Sequence, residues 1–160
     1  MATIVIGIGN AVRTDDAVGL HAVRAIAART RGRADVATQE LHTGGIRLME
    51  AMTGYRKAIL IDATETQGGT PGTIRTVPAA GLLWTRNTHS MHDTSLPVAL
   101  AFGSAAGLEL PSEITVWTVE AEDIENFGET LTPAVRAALP RVVEQVMRQL
   151  DGDPSRSGPA

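Results

Sequence analysis

Apolar and polar positions alternate along the chain in blocks that read as strand, then helix, several times over. Ile4 to Ile8 (IVIGI) is continuously apolar, which suits a strand buried on both faces of a parallel sheet. It breaks at Gly9-Asn10 and gives way to a polar loop, Arg13-Thr14-Asp15-Asp16. Ala17 to Arg29 then reads as a helix, with Val18, Val23 and Ile26 leading its apolar side. Gly32 marks its end, and Val36 to Leu41 is a second strand. His42-Thr43-Gly44-Gly45 is a loop before a short helix, Ile46 to Met52, which Gly54 closes. Lys57 to Asp62 (KAILID) is a third strand, apolar enough for a central place, and it ends in an aspartate. A glycine-rich turn, Gln67 to Gly72, leads to Thr73 to Val77, whose alternation predicts a shorter, less buried strand. Residues 78–93 are irregular. Thr94 to Phe102 reads as a helix with Pro97 in its first turn, where proline is tolerated, and Gly103 and Gly107 end it. Ile114 to Val119 is the last strong strand, followed by an acidic connection, Glu120 to Glu129. Thr132-Pro133 opens the final helix, and Val135, Leu139, Val142, Val143, Val146 and Leu150 form one wide apolar stripe. Pro140 falls inside that helix and is expected to kink it.

This alternation predicts an α/β fold, a three-layer α/β/α sandwich on a mostly parallel, twisted, five-stranded sheet. Strands 57–62 and 73–77, joined by a short loop, are the expected antiparallel edge pair. Residues 1–150 form one expected domain, and 151–160, rich in Gly, Pro, Ser and Arg, a disordered tail. A chain of 160 residues suits a single sizeable core. A net charge of -4 points away from nucleic acid and from an anionic membrane. The absence of cysteine removes disulfides, thiolate metal sites and a cysteine nucleophile together. With strand one starting at once and no apolar run long enough to span a bilayer, a cytoplasmic protein is expected. With no obvious exposed apolar stripe, a monomer is expected.

In open α/β sheets, sites gather at the carboxyl ends of the strands. Asp15 and Asp16 follow strand one, Asp62 ends strand three, and His89 and His92 precede the mid-chain helix. Two carboxylates and an imidazole suit a divalent ion of the nickel, zinc or iron kind. Three protein ligands with a vacant position would make a working site. Plainer roles compete. An aspartate just before a helix is a common N-cap, so at least one of Asp15 and Asp16 is expected to cap. Asp62 could cap the next turn, and a loop histidine is usually solvated. A dinucleotide loop is disfavoured, because Gly7-Ile8-Gly9 is followed by Val12 rather than a third glycine, and two carboxylates repel phosphate. No G-x-S-x-G occurs, and Ser90, Ser95 and Ser104 lack the context of a nucleophile elbow. The residues alone reach an α/β domain with an acidic, histidine-containing site.

The motifs reach further. Gly7-Ile8-Gly9-Asn10 with Asp15-Asp16-Ala17-Val18-Gly19 resembles the opening of the hydrogenase maturation proteases. Thr43-Gly44-Gly45 with Leu48-Met49 is similar to that family's glycine-rich loop and helix. Ile59 to Ala63 is similar to its strand ending in aspartate, Ser90-Met91-His92 with Ser95-Leu96 to its histidine segment, and Leu131 to Val135 to the start of its last helix. The ordered set covers about residues 3 to 150. Ala121-Glu122-Asp123-Ile124 departs from it, standing where many members carry a proline-led stretch. The resemblance implies an endopeptidase that removes the C-terminal extension of a [NiFe] hydrogenase large-subunit precursor. It implies that Asp16, Asp62 and His92 are both the metal-contacting and the catalytic residues. The metal is nickel supplied by the substrate, with no organic cofactor, and Gly44 and Gly45 are candidates for contact with the substrate's tail. The alternative is a non-proteolytic metal- or partner-binding accessory protein of the same fold.

Overall fold

The computed structural model describes residues 2–78 and 95–152. Five strands form one sheet: β1 (Thr3–Ile8), β2 (Val36–Leu41), β3 (Lys57–Thr64), β4 (Ile74–Pro78) and β5 (Glu113–Glu120), in the order β2-β1-β3-β5-β4. β1 pairs in parallel with β2 and β3, and β3 with β5, while β4 runs antiparallel at the edge. The helices are α1 (Val18–Arg29), α2 (Gly45–Met52), α3 (Leu96–Ala105) and α4 (Pro133–Leu150).

The continuous apolar runs of β1 and β3 put them in the middle, because each must cover two cores. Val5, Ile59, Ile61, Trp117 and Val119 face a core closed by α1 and α4. Ile4, Ile6, Ile8, Ala58, Leu60 and Val116 face a second core with α2 and the start of α3. The period-two alternation of a strand thus splits one run between two cores. β2, only half-buried, is the parallel edge. The sandwich and its sheet are as the pattern predicts.

Four local features differ. The loop 13–16 is ordered into a 3-10 turn, Thr14–Ala17, ahead of α1. α3 runs through Gly103 to Ala105, because the glycine lets it press on α2; a Cβ there would lie 2.9 Å from Met49 Sδ. α4 continues without interruption past Pro140, which is exposed on its outer side. Most informative is β4. It pairs with β5, register Thr76↔Trp117, and β5 lies between it and β3. The expected hairpin of 57–62 with 73–77 therefore does not form. The buried Glu120 carboxylate accepts Thr66 N–H at 2.6 Å and Thr66 Oγ1–H at 3.0 Å. Gly72 N–H donates to Glu120 O, and Glu120 N–H to Thr73 O, both at 2.8 Å. These bonds carry the chain across the end of β5 before it turns back. No helix among the described residues is long and apolar enough to cross a membrane.

Candidate active site

The site is built at the carboxyl edge of β1 and β3 by close backbone approaches. A Cβ on Gly7 would collide with Gly19 O, and one on Gly19 with Ile61 O and, at 2.6 Å, with Ile8 O. Glycine at both positions lets α1 lie directly on β1 and β3. A Cβ on Gly9 would collide with Asp16 O, so this third glycine lets the 3-10 turn fold back over the end of β1. The turn itself packs against β3. Asp16, on the turn, is 2% exposed, and Asp62, near the end of β3, is fully buried. Asp62 Oδ1 accepts Ala63 N–H at 2.9 Å. The structure thus packs the turn that carries Asp16 against β3, which carries Asp62. His92 and His89 lie outside the described residues, and among those described no three His, Asp or Glu side chains gather as a metal site.

Gly44 and Gly45 are at the same edge, past the end of β2. Gly44 precedes α2, and Gly45 takes φ +63, in the left-handed backbone region that favours glycine. His42, just before them, places Nδ1 3.2 Å from Gly9 O.

Asp15 does something the sequence did not disclose. Neither the 3-10 turn nor α1 has a side-chain cap, so the expected capping does not occur. The fully buried Asp15 carboxylate instead faces the segment between β5 and α4. Oδ2 accepts N–H of Glu122 at 2.9 Å and of Asp123 at 3.0 Å, and the Thr132 hydroxyl at 2.7 Å. Oδ1 accepts Thr132 N–H at 2.8 Å. Thr14, next to it, is held at φ +38, rare for a non-glycine residue. Its N–H donates to Gly128 O at 3.0 Å and its hydroxyl to Asn126 O at 2.8 Å. Gly128 N–H donates to Val12 O at 2.9 Å. Strain of this kind persists only where surrounding bonds over-determine the backbone. Asp123 closes the loop's own turn, accepting N–H of Glu125 and Asn126, and Asn126's contacts hold its pKa below the usual carboxylate range.

Chemically, carboxylates at this rim are oxygen donors of the kind a divalent ion takes, and an added imidazole would complete a three-donor set. A buried carboxylate there could also take a proton from water.

A three-layer α/β protein with buried acidic side chains at the carboxyl edge of its sheet is the class these features define. The family model described as hydrogenase maturation protease (HycI) matches residues 20–149. The hydrogenase 2 maturation protease of Escherichia coli (strain K12) is 32% identical over 156 residues, covering 94% of this chain and 91% of that protein. The hydrogenase expression/formation protein HoxM of Azotobacter vinelandii is 29% identical over 169 residues, covering 98% and 81%. The solved hydrogenase maturating endopeptidase HybD from E. coli superposes with a TM-score of 0.78 at 26% identity, covering 96% of this chain and 94% of that one. The chain belongs to the hydrogenase maturation protease family, and it is a peptidase that serves hydrogenase maturation.

Proposed function

We propose that the chain removes the C-terminal extension from the large-subunit precursor of a [NiFe] hydrogenase, and that it recognises nickel already held by that precursor. The observation that carries this reading is the burial of Asp16 and Asp62 on two elements packed against each other at one rim. With His92 they supply two oxygens and one nitrogen, a set without thiolate that can fill vacant positions on an ion the substrate presents. Docked in this way, the side chains set the scissile carbonyl beside them. Asp16 or Asp62 takes a proton from water as its oxygen bonds to the carbonyl carbon and gives it to the peptide nitrogen as the C–N bond breaks, so that no covalent acyl-enzyme forms. Gly44 and Gly45 let the extended tail approach the backbone. The protein acts as a monomer in the cytoplasm.

Incubation with a nickel-loaded precursor, followed by mass spectrometry, is expected to release one intact C-terminal peptide. His92→Ala is expected to abolish that release with an unchanged melting temperature. Normal cleavage by the variant would remove His92 from the site. Binding of the precursor by the wild type without cleavage would favour the accessory-protein alternative.

A further inference from the structure

The chain has 2 phenylalanines, and both are on the surface: Phe102 is 63% exposed and Phe127 77%. Phe127 lies at the tip of the segment that Asp15, Thr14 and Asp123 brace. Beside it, through the Gly128–Val12 backbone bond, is Val12, 47% exposed. The Arg13 guanidinium carbon stands 5.7 Å from the Phe127 ring centroid, a cation–π contact that favours this placement of the ring. Glu122 and Glu129, both exposed, flank this apolar tip in the chain. The loop that carries this exposed aromatic is bonded through Gly128 to Val12 and Thr14, at the start of the turn that bears the buried Asp16, which sets an apolar side chain beside the site where a partner could anchor.

We propose that Val12 and Phe127 form a docking ridge for the precursor, which lies on it with an apolar side chain flanked by lysine or arginine. The inference rests on the reading that this chain cleaves such a precursor. Three features favour that occupant over a second copy of the chain. The ridge is continuous with the site, since Arg13 O accepts Asp16 N–H at 2.8 Å. Face-to-face packing of two copies would bring Glu122 and Glu129 against their own kind, in a chain whose net charge is already -4. The apolar ridge is two side chains wide, a contact that one apolar side chain of an extended peptide segment can cover, whereas a stable dimer buries roughly 800 Å² of total surface per partner.

The test is steady-state cleavage of the nickel-loaded precursor. Phe127→Ser is expected to lower kcat/KM about tenfold, with the loss in KM and no change in melting temperature. The double reversal Glu122→Lys with Glu129→Lys is expected to raise KM similarly and to flatten its dependence on salt. Phe102→Ser, on α3, is expected to match the wild type. Wild-type cleavage with an unimpaired Phe127→Ser would overturn the ridge alone. Failure of the wild type to cleave would overturn the proposed function and the ridge together. A dimer in sedimentation that Phe127→Ser dissolves would assign the ridge to a second copy and overturn the proposal.

Discussion

Replacing the fully buried Asp15 by alanine would leave the N–H groups of Glu122, Asp123 and Thr132, part-buried on the facing segment, without their acceptor. Buried donors left unpaired cost about 1–3 kcal/mol each when they stay dry, and the segment can loosen to let water in. A net loss of about 3 kcal/mol, or roughly 10 °C in melting temperature, is expected for Asp15→Ala by thermal unfolding. A change under about 2 °C would mean the clamp contributes little. Nothing near Asp15 in the sequence announces this, because its partners lie 107 to 117 positions further on. Asp16 differs. A second carboxylate in the loop after a buried strand, at the sheet edge where sites gather, made it a candidate from the pattern alone. The resemblance singled out Asp16 as the candidate ligand, but that its neighbour Asp15 is a clamp is disclosed only by the long-range fold.

At the scale of elements, the glycines near the start were legible as a motif but not as a mechanism. Gly7-Ile8-Gly9 looked like a damaged nucleotide fingerprint; in the structure Gly7, Gly9 and Gly19 are places where backbone meets backbone. Gly19→Ala is therefore expected to push α1 off β1 and β3, since the atoms in its way are the main-chain Ile61 O and Ile8 O, which cannot rotate aside. A loss of about 3 kcal/mol or more in denaturant unfolding is expected, against under about 1 kcal/mol for the exposed Gly32→Asn, whose site is open and whose φ of +87 asparagine tolerates better than most residues. Equal stability of the two variants would show that α1 has room to move. The strands were easier to read than their neighbours. β3 had to be central because its run is apolar on both faces, but β4's partner depends on Glu120 and Gly72, which steer the chain after β3 has ended. Local alternation carries no record of that steering.

Across the whole molecule the layered architecture was readable because a parallel sheet covered on both sides needs unbroken apolar strands and one-sided helices, and the chain supplies both. The same scale governs its response to acid. Arg24, hydrogen-bonded to Glu40, holds that carboxyl below its ordinary 4.5, and Asn126 holds Asp123 below 3.8. Each group binds a proton more readily in the unfolded chain, so its stabilisation is complete above those ordinary values and is lost as pH falls through the depressed ones. His21 acts in the same direction at higher pH. Burial, helped by the nearby Arg24 cation, lowers its pKa below 6.5 against the opposing pull of Glu40. Below pH 6.5 the unfolded chain takes up a proton that the folded one resists, so stability declines from there to His21's own lowered pKa. Melting temperature is thus expected to fall on acidification in two stages, a shallow one beginning near pH 6.5 and a steeper one in the carboxylate range. His21→Gln, which cannot take up that proton, is expected to flatten the first stage and leave the second. An upper stage unchanged in that variant would assign it to a different histidine.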